Sequence, residues 1–91
     1  MEFMQLEMFV AIVEEGTMRG ASTRVFRSQP AVSMAIRKLE AEVGTRLFVR
    51  SSNRRRLTQA GETLYRYARE LLNLRSKALS SLGEFGSSSS R

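Results

Sequence analysis

The sequence predicts a mainly helical fold: three short helices, a short two-stranded hairpin and one long closing helix. Three observations predict it. Apolar residues recur at helical spacing in four separate stretches, and glycines or polar turns punctuate them. One region alone, Leu47-Phe48-Val49 with Leu57-Thr58, is short, apolar and partly β-branched in the manner of a strand pair. Between Leu64 and Leu82 the apolar residues occupy a wide arc of one long helix.

Leu6, Phe9, Val10 and Val13 fall at i, i+3, i+4 and i+7 and mark the first helix, which Gly16 ends. Thr17 is a good cap for a second helix, whose short buried face is Met18, Ala21 and Val25. Gly20 lies inside that helix and should weaken it by about 1 kcal/mol relative to Ala. Phe26-Arg27 forms the next turn. Ser28 caps the third helix, and Pro30 falls in its first turn, where a missing N–H costs nothing. Val32, Ile36, Leu39 and Val43 make its buried stripe, while Pro30, Met34, Arg37, Lys38 and Ala41 point the opposite way and Glu40 and Glu42 fall on the flanks. Two short helices joined by a tight turn, the second basic on its outer face, form a helix-turn-helix.

Gly44 closes the third helix. The strand pair brackets Arg50-Ser51-Ser52-Asn53-Arg54-Arg55-Arg56, in which Ser and Asn supply turn chemistry and Arg supplies charge. A hairpin with a basic tip is a wing. Thr58 can cap the last helix, expected from Gln59 to Leu82 and about 36 Å long at 1.5 Å per residue. Leu64, Tyr67, Ala68, Leu71, Leu72 and Leu74, with Leu79 and Leu82 beyond, spread over more surface than one neighbouring domain covers. A second copy of the same helix is the simplest cover; packing on its own domain alone is the alternative, and Arg75 interrupts the arc. The expected organisation is a winged helix-turn-helix over residues 1–58 and a dimerisation linker helix over 59–82. Residues 83–91 read as a Ser-rich disordered tail, either the start of a hinge or an engineered leftover.

Charge is unevenly distributed. The chain of 91 residues carries 15 Lys and Arg against 9 acids, a net charge of +6, and every acid is Glu. Residues 1–16 carry −4, residues 17–58 carry +8 and residues 59–91 carry +2. The concentration over the helix-turn-helix and wing favours a polyanionic partner; a solvated basic surface is the plain alternative. There is no Cys, His or Asp, which removes disulfides, thiol nucleophiles, the commonest general bases and most metal ligands. Neither a Ser-x-x-Lys pair nor a Gly-Lys-Ser/Thr phosphate loop occurs, so an enzyme is not expected, nor is a cofactor. The longest apolar run, Met8 to Val13, is too short to span a membrane, and no secretory signal is visible, so a cytoplasmic protein is expected.

The run Ser28-Gln29-Pro30-Ala31-Val32-Ser33, with Ile36, Leu39-Glu40, Gly44 and Leu47-Phe48, resembles the LysR-type transcriptional regulators. The likeness extends upstream through Leu6, Phe9, Glu15-Gly16-Thr17 and Ala21, and downstream through Leu57-Thr58-Gln59-Ala60-Gly61. It covers roughly residues 4 to 82. The resemblance implies a winged helix-turn-helix that binds double-stranded operator DNA as a homodimer, paired through the linker helix, on an interrupted palindrome with T and A in its arms. It implies base or phosphate contact at Gln29, Pro30 and Ser33. Such regulators usually carry an effector-binding domain after the linker helix; a small-molecule effector would act only through that domain, which these residues do not include.

Read on the residues themselves, the binding surface has three groups. Gln29 carries an amide able to pair with adenine N6 and N7 in the major groove. Pro30 and Ala31 are small enough for close approach and could meet a thymine methyl, and Ser33 can bond a phosphate or base edge. Met34 stands where many relatives of this type carry Arg, so apolar contact, with thymine favoured over guanine, is expected there. Arg37 and Lys38, further along, suit phosphates. In the wing, Arg54 is expected to reach toward a minor groove, with Arg55 or Arg56 on a phosphate and Asn53 beside them. Thr17 can present its helix N-terminus to a phosphate, and Arg19, Arg24 and Arg27 are weaker candidates for backbone contact. Three other functions would use overlapping features. A non-specific basic nucleic-acid binder would use the same face without depending on Gln29 or Ser33. RNA binding is disfavoured by the lack of an aromatic ladder. A protein-interaction module would need only the last helix.

Overall fold

The computed structural model describes residues 1–49 and 56–89. Four helices follow in order: α1 (Phe3–Glu15), α2 (Met18–Val25), α3 (Gln29–Val43) and α4 (Gln59–Ser89). α1 is the hub. α2 and α3 pack against it and against each other, whereas α4 packs against α1 alone. That placement explains why Met8, Phe9, Val10, Ala11 and Ile12 are all buried. A helix enclosed by neighbours needs apolar residues around its circumference, beyond the single stripe that period counting picks out.

The caps fall where the residue types dictate. Gly16 takes φ +81° and its N–H returns to the Ile12 carbonyl. Thr17 Oγ1 accepts the Gly20 N–H at 3.0 Å, and Ser28 Oγ accepts the Ala31 N–H at 3.2 Å. Gly44 takes φ +78° past the end of α3. At Gly20 an added side chain would meet close neighbours. A Cβ there would stand 3.0 Å from Glu15 Cβ and 3.1 Å from Thr17 Oγ1, crowding the cap itself. Ser22 is buried beside Ala21 and donates to the Arg19 carbonyl at 2.9 Å, so a polar residue is accommodated in the α2 interface without an unpaired group.

Phe26 joins α2 to α3 at φ +58°, the left-handed region that a side chain bearing a Cβ enters at a cost. Its ring is 88 % exposed, so burial gives nothing back. Phe26→Asn is therefore expected to stabilise the chain by about 0.5–1 kcal/mol, because Asn tolerates this conformation. Thermal unfolding followed by circular dichroism should show a rise of several degrees.

Several expectations are corrected. Val43 is 41 % exposed: it lies in the last turn of α3, past the edge of the core, and borders a groove with Leu64 and Tyr67. The hairpin is reduced, among the described residues, to one antiparallel bridge between Phe48 and Leu57. Val49 N–H donates to Arg56 O at 2.7 Å and Thr58 N–H to Leu47 O at 3.0 Å. These contacts join the two arms at their base, and the rest of the wing lies outside the described residues. α4 does not stop at Leu82 but runs to Ser89, because Gly83 and Gly86 keep negative φ and form no left-handed stop of the kind made by Gly16 and Gly44. Residues 83–89, expected as part of a tail, continue that helix.

The arc of α4 splits into two faces. Ala68 is fully buried, and Leu64, Tyr65 and Leu72 pack on the core. Tyr67, Leu71 and Leu74 remain exposed, as do Leu79 and Leu82. Arg75 does not interrupt the exposed face. It turns toward α1, pairs with Glu7 at 3.3 Å and lies over the Phe3 ring at 5.2 Å. Of the six residues expected to form a dimer surface, three therefore serve the chain's own core.

Candidate nucleic-acid interface

α3 is held by its apolar side, so its opposite side must face outward. Val32 and Leu39 are fully buried and Ile36 nearly so. Turned away from them, Gln29, Pro30, Ala31, Arg37 and Lys38 are exposed, Met34 is 50 % exposed and Ser33 is half-buried. With the Ser28 cap satisfying one early N–H, the amino end of α3 presents an amide, two small apolar residues and a thioether, followed by two cations.

The amino ends of α2 and α3 come together. Met18, immediately after the Thr17 cap, shares a shallow notch with Gln29, Pro30 and Ser33. Thr17 is exposed but its hydroxyl is engaged as the α2 cap, so its contribution is to orient that helix end. Met34 stands in a second open groove with Pro30, Ala31, Lys38 and, from α1, Met4. The apolar strip at the start of α3 is thus wider than α3 alone supplies.

A small cavity brings Ser33, Arg37, Glu40 and Arg46 to one wall. Arg46 is exposed and belongs to no helix, and sequence reasoning passed over it. The signal was its place between Gly44 and the strand-like Leu47-Phe48-Val49, at the root of a basic wing. Glu40 lines the same cavity, yet its carboxylate is occupied: Oε2 accepts the Leu47 N–H at 2.8 Å and the Phe48 N–H at 3.4 Å. It anchors the wing base to α3. Arg56, opposite, is exposed. Asn53, Arg54 and Arg55 lie outside the described residues.

Arg24, a weaker candidate for backbone contact, is engaged within the chain. It pairs with Glu14 at 2.9 Å and Glu15 at 3.3 Å. The Tyr65 hydroxyl, at 2.7 Å, and the two arginines Arg24 and Arg69 hold the Glu14 carboxyl below the ordinary carboxylate range, against the opposing effect of desolvation. Among the described residues no group of three or more potential ligands could hold a metal ion, and no helix is long and apolar enough to cross a membrane.

Residues 3–62 match the family described as "Bacterial regulatory helix-turn-helix protein, lysR family". A probable RuBisCO transcriptional regulator from Cyanidioschyzon merolae is 43% identical over 70 residues, which is 77% of this chain and 23% of that protein. The HTH-type transcriptional regulator ClcR of Pseudomonas putida is 41% identical over 92 residues, 94% of this chain and 31% of that protein. The chain therefore spans less than a third of the length of these relatives. In the crystal structure of the BenM_DBD/catB site 1 DNA complex, the protein superposes with a TM-score of 0.90 at 34% identity, covering 96% of this chain and 97% of that one. A family match over most of the chain, on a fold whose third helix turns its amide and cations outward, has one consequence: the chain belongs to the LysR family of bacterial regulatory helix-turn-helix proteins.

Proposed function

We propose that the chain reads operator DNA as a homodimer and so supplies the DNA-recognition part of a transcriptional regulator. The observation that carries this reading is the joint exposure of Gln29, Pro30, Ala31 and Met34 at the capped start of α3, with Arg37 and Lys38 behind them. A helix entering the major groove by its amino end needs this order: base-reading groups first, phosphate-binding groups after. Gln29 pairs with an adenine, Ser33 with a phosphate or base edge, and Met34 with a thymine methyl. Arg37, Lys38 and Arg46 grip the backbone, as does Arg55 or Arg56 from the wing, while Arg54, with Asn53 beside it, reaches toward the minor groove.

Two copies pair through Tyr67, Leu71 and Leu74, continued by Leu79 and Leu82, and the site is an interrupted palindrome. The BenM structure, itself a DNA complex, supports the mode, and the regulators named above support the role. The chain's task is binding and not catalysis, its compartment is the cytoplasm, and any small-molecule control comes from a domain beyond these residues.

A non-specific basic binder would use the same face without Gln29. Sites recovered by selection from a random DNA pool separate the two. Gln29→Ala is expected to weaken binding to the selected site by about 1–3 kcal/mol while leaving binding to scrambled duplex nearly unchanged. On base-substituted versions of that site, Met34→Arg should shift preference toward guanine at one position. Equal loss on every duplex would favour the non-specific binder.

A further inference from the structure

The helix that carries the dimer face and the helix pair that reads DNA meet at one carboxylate. Glu14, near the end of α1, accepts the Tyr65 hydroxyl at 2.7 Å and Arg69 Nη1 at 2.9 Å, both from α4. From α2 it accepts Arg24 Nη1 at 2.9 Å. Arg69 donates also to Tyr65 Oη at 3.0 Å. The second polar attachment of α4, Arg75 to Glu7, reaches α1 only. Because α4 makes no close backbone approach to α2 or α3, Glu14 gives α2 and α4 a shared polar partner.

We propose that Glu14 is a positioning residue that sets the angle of α4 against the α2–α3 pair, and thereby the distance between the two reading helices of a dimer and the half-site spacing it accepts. The inference rests on the dimeric DNA-reading mode proposed above. The lever is long: the chain extends 55 Å along its major axis, most of it α4. A rotation of about 6° acting over roughly 30 Å of helix moves its far end by about 3 Å, close to one base-pair step. The individual ion pairs are partly solvated and add little stability, so their effect is directional. The apolar contacts of Leu64, Ala68 and Leu72 keep α4 attached when the carboxylate is removed, and Arg24 then keeps Glu15 while Arg69 keeps the Tyr65 hydroxyl, so the link from α2 to α4 is lost without stranding either cation.

The test measures the affinity of the whole chain for duplexes carrying two half-sites whose spacer is varied one base pair at a time. The native chain should show a sharp optimum, losing about tenfold or more in affinity a step or two away, as expected when both copies cannot engage together. Glu14→Ala, and more mildly Tyr65→Phe, should flatten that profile to about threefold or move its optimum, with affinity for a single half-site unchanged. Variants that keep the native profile, whatever their melting temperature, overturn the inference. A native profile without any optimum overturns the dimer reading and this inference with it.

Discussion

Gly61→Ala is expected to cost about 3–4 kcal/mol, a large part of the stability of a domain this size. A Cβ at position 61 would stand 2.1 Å from the Leu47 carbonyl oxygen and 2.8 Å from Leu57 Cδ2. The oxygen is backbone and cannot rotate aside. It is also the acceptor for the Thr58 N–H at 3.0 Å, one of the two backbone bonds between the described arms of the wing. Moving it breaks that bond and disturbs Thr58. The Thr58 hydroxyl donates to the Arg46 carbonyl at 2.7 Å and accepts the Gly61 N–H at 3.0 Å as the cap of α4. One methyl group thus strikes the wing, the start of α4 and the core beneath Leu47 together. Thermal unfolding should show a fall of roughly 15–25 °C. Gly83→Ala is the matched control. It sits in the same helix with nothing within 4 Å of the added Cβ, and should stabilise slightly. Equal small effects at both positions would mean that the approach of α4 to Leu47 is looser than described.

That contrast shows where sequence reasoning reaches its limit. The caps at Thr17, Ser28 and Thr58 and the glycine stops at Gly16 and Gly44 are local chemistry, readable from residue type and spacing, and they stand in the structure. The outward face of α3 was equally legible, because burial of Val32, Ile36 and Leu39 fixes what points away. Periodicity finds an apolar face but does not say which neighbour covers it. Leu64, Ala68 and Leu72 look the same in sequence as Tyr67, Leu71 and Leu74, and only the position of α1 divides them. In sequence Arg75 interrupts the apolar arc; Glu7 and Phe3, far away in the chain, give it a place on the other side. The surroundings of Gly20 are equally hidden from spacing: a Cβ there would meet Glu15 Cβ and the Thr17 hydroxyl. Glu40 was read as a flanking acid; its work is to bind the Leu47 and Phe48 amides, which no spacing rule announces.

Between about 50 and 200 mM salt, affinity for operator DNA should fall on the order of a thousandfold. The size follows from which cations are free to meet phosphate. Net charge is a poor guide, because Arg24, Arg69 and Arg75 are committed to Glu14, Glu15 and Glu7 inside the chain. Among the described residues, the exposed cations on the proposed DNA-facing side include Arg37, Lys38, Arg46 and Arg56. Three or four phosphates per protomer make roughly six to eight for a dimer, and each releases counterions as it binds. The same count predicts how variants behave. Lys38→Ala removes one contact per copy, so the slope of log affinity against log salt should become shallower by about 2, and binding should weaken by similar factors on all sequences. Gln29→Ala removes no charge, so the slope should stay unchanged while affinity for the selected site drops. Fluorescence anisotropy titrations at four or five salt concentrations separate these outcomes. A native slope near zero would mean that the face bearing Arg37 and Lys38 does not rest on phosphate, and the exposed start of α3 would then need a different partner.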